Sequence, residues 1–179
     1  MTTPAPLVVT IPAIEPIKVA ARAVQQELGL TIGQIMLGNE NWEIPDGTGL
    51  YVSLLYGTET VIGSCNYNGV DAGGNFQEIQ DVIMLHGVDI DIMSFDDSAR
   101  LRKEEVVMAL QSVYTQGLME TYQMRLATTP GSFMLVSDLE PAKQLNRFRL
   151  GITINALHRK TITAQYFDTI TPVALVENP

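Results

Sequence analysis

Asn146-Arg147-Phe148-Arg149-Leu150-Gly151-Ile152-Thr153-Ile154-Asn155 is the stretch whose reading decides the fold of this chain. Phe148, Leu150, Ile152 and Ile154 fall on one side of an extended backbone, and Arg147, Arg149, Thr153 and Asn155 on the other. Successive side chains of a strand point to opposite faces, so this alternation describes a sheet with one face on a core. Val88-Asp89-Ile90-Asp91-Ile92 repeats the pattern with acids on the polar side. One basic and one acidic strand, each half-buried, describe a sheet that presents polar groups rather than one that encloses a catalytic pocket.

Working outward, Pro16 suits the first position of a helix and Gly29 its end. Between them Ile17, Ala20, Ala21, Val24 and Leu28 recur at helical spacing. A second helix is expected after Asp96 or Asp97, either of which can accept from the orphan backbone N–H groups. Ala99, Arg102, Val106, Ala109 or Leu110, and Val113 map its packed side, with Gly117 as its end. Tyr51–Tyr56 reads as strand, residues 77–95 as one long strand bent at Gly87, and residues 132–138 as a short one. A long strand runs from Gln144, and a last one is expected over residues 162–167. Residues 66–75, rich in Gly and Asn, read as a long loop. Runs of strands separated by single helices make the fold class α+β, a mainly antiparallel sheet with helices packed on one face.

Residues 1–16 carry Pro4, Pro6, Pro12 and Pro16 and read as an extended arm, leaving 17–179 as a single α+β domain. Within the arm, Leu7-Val8-Val9-Thr10-Ile11 is apolar and β-branched. It fits either an edge strand on its own domain or an arm docked on a neighbouring subunit.

The length of 179 residues fits one domain with a real core. Apolar residues at 46% and charged residues at 17% are wrong for a disordered chain. The net charge of −9 argues against affinity built on many phosphate contacts, although it permits nucleic acid to pass without being gripped. Cys65 is the single cysteine, which excludes an internal disulfide and a thiolate cluster within one chain. No apolar run approaches the roughly 18 residues of a membrane span, and the N-terminus has no secretory pattern. The chain reads as soluble and intracellular.

Catalytic constellations are hard to find. His86 and His158 are the two histidines, and neither has a metal-ligand spacing to another donor; His86 reads as a satisfied strand histidine. The glycines Gly69, Gly73 and Gly74 lack the helix that a phosphate-cradling loop would need. Asp89 and Asp91 share a strand face and could serve acid–base or cation chemistry, or could pair across strands with Arg147 and Arg149. Cys65 has no basic neighbour in sequence to activate it. The expectation is a protein without enzymatic activity, cofactor or bound metal.

From about Asn39 to Val173 the chain resembles the neck and tail-terminator proteins of long-tailed bacteriophages. The resemblance is carried by Leu50-Tyr51-Val52-Ser53-Leu54, by Val88-Asp89-Ile90-Asp91-Ile92-Met93-Ser94-Phe95, and by the helix opening Asp97-Ser98-Ala99. Arg147-Phe148-Arg149-Leu150-Gly151-Ile152-Thr153-Ile154 and Phe167-Asp168-Thr169-Ile170-Thr171-Pro172-Val173 complete it. It implies a subunit that forms a ring, typically a hexamer, at the head-proximal end of the tail tube. Such a ring stops tube polymerisation, docks the head connector and other neck proteins, can anchor sheath protein, and lets DNA pass. The subunit would reside at the head–tail junction of the virion, and in the host cytoplasm during assembly, without a membrane partner.

For such a ring, Glu59, Glu78, Asp89 and Asp91 are candidates to face the lumen, because unpaired carboxylates repel phosphate. Leu7, Val9, Ile11, Tyr67, Asn68, Val70, Arg147 and Arg149 are candidates for contacts between subunits or between rings. The rival readings are another neck, collar or head-completion subunit, a non-viral ligand-binding module, and a hydrolase using Asp89 and Asp91 with a divalent ion.

Overall fold

The computed structural model describes residues 8–10, 14–38, 47–74, 76–128, 131–136 and 145–163. Along the chain the elements are β1 (Val8–Thr10), α1 (Pro16–Leu28), β2 (Ile35–Leu37), β3 (Tyr51–Val70) and β4 (Phe76–Ser94). They continue as α2 (Ser98–Leu110), α3 (Val113–Thr121), β5 (Met124–Leu126), β6 (Phe133–Leu135) and β7 (Asn146–Thr163). The sheet order is β1-β7-β4-β3-β2, and β5 and β6 also pair with β7. Every pairing is antiparallel except that of β2 with β3. The chain is therefore α+β, as its alternating strands imply.

The alternation places the core where expected. Leu150, Ile152 and Ile154 of β7 stand beside Ile90 and Val88 of β4 and Val52 and Leu54 of β3, all buried on one face. Against that face lie Ile17, Val19, Ala20 and Val24 of α1, Ala99, Val106 and Leu110 of α2, and Met119 of α3. Helix α1 begins at Pro16 and ends at Gly29, whose backbone is left-handed (φ 64°) and donates to the carbonyls of Gln25 and Gln26.

At the start of α2 it is Asp96 that accepts from the Ser98 N–H, at 2.8 Å, while Ser94 Oγ accepts from Ala99 N–H at 2.9 Å. The helix stops at Leu110, before the expected end at Gly117, because Ser112 Oγ accepts from Thr115 N–H and starts α3 afresh. The break turns Val113 outward to 85% exposure, and Gly117 lies inside α3. Lys103 on α2 sits over the rings of Phe133 and Phe148, 5.8 and 5.4 Å from their centroids, and ties that helix to β6 and β7.

Strands β3, β4 and β7 continue well past the helix layer. From Gly57 to Val70 and from Phe76 to His86 nearly every residue is exposed or half-buried, so about 14 residues of β3 project as a ribbon roughly 45 Å long. This corrects the expected loop. Residues 66–70 are strand, paired from Asn66–Gln80 to Val70–Phe76, and the described turn is Asp71–Gly74. Strand β7 runs unbroken to Thr163 and so takes in the first two residues of the strand expected over 162–167, whose other residues lie outside the described ones. The ribbon leaves the core at a β-bulge, where the β3–β4 register shifts between Tyr56 and Glu59 opposite Gly87, the position expected to bend.

Candidate functional site at the root of the ribbon

Where the ribbon leaves the helix layer, three strands bring one titratable residue each to the helix-side face. Glu59 of β3 lies directly opposite His86 of β4. His158 of β7 pairs with Val82, so one further pair, Met84–Ala156, separates the two histidines in register. The rings lean together along the sheet. His86 Nε2 stands 3.2 Å from His158 Nε2, and His86 Nδ1 stands 2.9 Å from Glu59 Oε1. Because a carboxylate only accepts, Nδ1 of His86 carries a proton and donates to Glu59. Burial first, and then the nearness of the His86 ring, hold His158 below the usual imidazole pKa, although Glu59 pulls the other way.

These groups border a cleft of about 370 Å³ closed on its other side by Ile14, Glu15, Pro16 and Ile17 at the start of α1. Tyr56 Oη donates to Glu15 Oε2 at 2.6 Å, and Lys18 Nζ approaches the same oxygen at 3.3 Å. The Glu15 hydrogen bond pushes the Tyr56 hydroxyl up to about 12 and holds the Glu15 carboxyl below its usual value. The cleft thus combines an apolar floor with two polar pairs whose protons are placed.

No family model matches this chain, and no curated protein matches it.

The opposite face carries the ion pairs. Asp91, 1% exposed, accepts two hydrogen bonds from Arg149, at 2.8 and 2.9 Å, and a further one from Arg147. Farther out, Asp81 accepts two from Arg159, both at 2.8 Å, and one from Tyr67 Oη at 3.2 Å. Each is a cross-strand pair set by register, Asp91 opposite Arg149 and Asp81 opposite Arg159.

The four acids expected at a lumen do not share a face. Glu59 and Glu78 lie on the helix side, whereas Asp89 and Asp91 lie on the opposite side. Asp91 is closed off by its two arginines, so it neither lines a channel nor joins Asp89 in holding a divalent ion. Glu78 accepts from Gln80 Nε2 at 2.9 Å. Arg147 and Arg149, expected at contacts between subunits or rings, pair with Asp91 of their own chain and keep 26% and 31% of their side chains exposed.

Tyr67, Asn68 and Val70 stand near the ribbon tip, with Val70 67% exposed. The backbone of Val9 pairs with Lys160 of its own sheet, which makes Val8–Thr10 an edge strand of this domain. Leu7 and Ile11 lie outside the described residues. Cys65 is exposed on the ribbon, opposite Asp81.

What sequence reasoning missed is the His86–His158–Glu59 cluster. Its members are 27 and 72 residues apart, and a local spacing rule cannot find them.

Proposed function

We propose that this chain is a structural subunit of a phage virion. It forms a ring, hexameric in the family it resembles, at the head-proximal end of the tail. There it ends tube polymerisation and joins the tail to the head connector while DNA passes through. The observation that carries this reading is the ribbon. An α+β core of this size needs strands only long enough to cover its helices, yet β3, β4 and β7 run on with both faces open. Among the described residues, β2 covers the outer edge of β3 only at Val52–Leu54. The edge beyond it carries exposed Val61, Ile62, Tyr67 and Val70. An unpaired edge with apolar side chains is a template for association, and a head-to-tail contact of two different patches forms a ring when its rotation closes.

The acids divide by orientation. A ring with the ion-pair face inward would place Asp89 in its channel, whereas one with the helix-side face of the ribbon inward would place Glu59 and Glu78 there.

Electron microscopy of virions labelled with an antibody against this chain tests the reading. Label confined to the head–tail junction is expected. Label along the tube, at the baseplate or off the particles would reject it. A small-ligand module is the second reading, favoured by the cleft between α1 and the ribbon root, whose volume falls at the low end of ligand sites. Virions without label, together with a thermal shift of the purified chain by small polar ligands, would select it.

A further inference from the structure

We propose that His86 and His158 bind one transition-metal ion of the zinc, nickel or copper type between their Nε2 atoms, with Glu59 behind His86 as the carboxylate that orients it. The inference does not depend on the ring reading. Two imidazole nitrogens bound to one tetrahedral ion at about 2.05 Å stand ~3.3 Å apart, and the two Nε2 atoms here are 3.2 Å apart. The same separation fits a direct N–H···N hydrogen bond between the rings, which an ion would replace.

The tautomer supports the ion. Glu59 fixes a His86 proton on Nδ1, so in the neutral ring the nitrogen turned toward His158 is the one with the lone pair. Carboxylate, imidazole and metal in that order is the arrangement that orients a ligating histidine and raises its basicity.

Among the described residues no third His, Cys, Asp or Glu completes the set. Two coordination positions therefore open toward the cleft of about 370 Å³, where water or a donor from outside the chain can fill them. With two protein ligands the affinity is on the order of micromolar, far weaker than a closed four-ligand site. The ion would link β4 to β7, with β3 held through Glu59, and so clamp all three strands where they leave the core.

The test uses the full, untagged chain, stripped with a chelator and titrated with zinc by calorimetry. Nitrogen-15 spectra of the imidazoles are recorded in parallel. With two histidines in the sequence the assignment is simple. One ion per chain is expected, with both Nε2 resonances moving and the His86 Nδ1–H retained. His86→Gln and His158→Gln should each weaken binding by tenfold or more, and Glu59→Gln by roughly 10- to 100-fold. Circular dichroism checks that each variant folds. The spectra of the unmodified chain decide the matter even where a variant does not. Failure to take up zinc at large excess, unmoved Nε2 resonances, or equal binding by the His86→Gln/His158→Gln double variant would overturn the proposal.

Discussion

Removing the carboxylate of Asp91 leaves two guanidinium groups without their shared partner on a face where all three residues are largely covered. Asp91 is itself buried, so the variant loses three charge-assisted hydrogen bonds, while the two guanidinium groups keep a quarter to a third of their side-chain surface in water. Asp91→Ala should therefore destabilise the chain by about 1–3 kcal/mol in urea unfolding, whereas an exposed site such as Glu104→Ala should change it by less than about 0.5 kcal/mol.

Burial alone would raise the Asp91 pKa, but Arg149 and Arg147 outweigh it and hold the carboxyl below its usual value. Asp81 is held low chiefly by Arg159. A folded pKa below the unfolded one gives stability that is complete above the unfolded value of about 4 and lost as pH falls through the folded one. The urea midpoint should drop below about pH 4, and drop less in Asp91→Asn.

His158 adds a separate loss at higher pH. Its depressed pKa means that the unfolded chain takes up protons first, so stability declines as pH falls below about 6.5. His86 and Glu59 are the titratable groups that face it, and His158→Gln should flatten the response in the same unfolding series.

The Asp91 pairing was legible in sequence, since opposite charges alternate with apolar residues on two strands. The histidine cluster was not, because register rather than spacing brings it together.

The bulge at the ribbon root is an element-scale device, and its two glycines fix how closely β3 and β4 approach. A Cβ on Gly87 would stand 3.0 Å from the Thr58 carbonyl oxygen and 3.1 Å from its nitrogen, and one on Gly57 would stand 3.0 Å from the Gly87 carbonyl carbon. The neighbours are backbone atoms inside a hydrogen-bonded ladder, so they yield only by parting the strands. Gly87→Ala should cost about 1–3 kcal/mol and lower Tm by about 2–4 °C per kcal/mol. Gly63→Ala, whose Cβ meets nothing within 4 Å, is the calorimetric control and should change little. An equal loss in both would reject the close-approach argument.

Elements were readable where one face is buried: α1, the inner halves of β3 and β4, and the start of β7 all follow their apolar period. Hydrophobic period reports burial, whereas a strand is defined by its hydrogen bonds. Residues 57–70 and 157–161 sit on the ribbon, where neither face is buried deeply, and their apolar alternation fades although the ladder continues. The Gly and Asn content of residues 66–70 favours a loop locally, but pairing with Phe76–Gln80 overrides it. The break between α2 and α3 was missed for a different reason. It depends on Ser112 capping one helix directly after another ends, inside a run that keeps its helical composition.

At the scale of the whole molecule, the chain divides into a packed half and a projecting half that share the same three strands. Opening the packed half exposes Leu54, Ile90, Ile92 and Ile154, each 0% exposed, and so requires unfolding of the core. Opening the ribbon exposes little that is not already half in water and costs mainly ladder hydrogen bonds, each worth about 1 kcal/mol net. The cross-strand pair of Asp81 with Arg159 and the cover of β1 over Arg159–Thr161 are the ribbon's additional restraints.

Hydrogen exchange of the free chain should therefore show two tiers. Amides of residues 52–54, 90–92 and 150–154 should exchange only through global opening, and those of residues 60–70 and 77–83 orders of magnitude faster through local opening. Within the ribbon, β4 should be slower than β3, because β4 is paired on both edges and the described part of β3 beyond Leu54 on one. If the ribbon is the surface through which copies associate, chains assembled in particles should show the slow rate along β3 as well, while the packed half stays unchanged. Protection gained only at α1 or α2 would move the interface to the helix layer and leave the ribbon without an assembly role. Equal, slow exchange of both tiers in the free chain would show that the ribbon is not a separable unit, and would remove the physical argument for its projecting function.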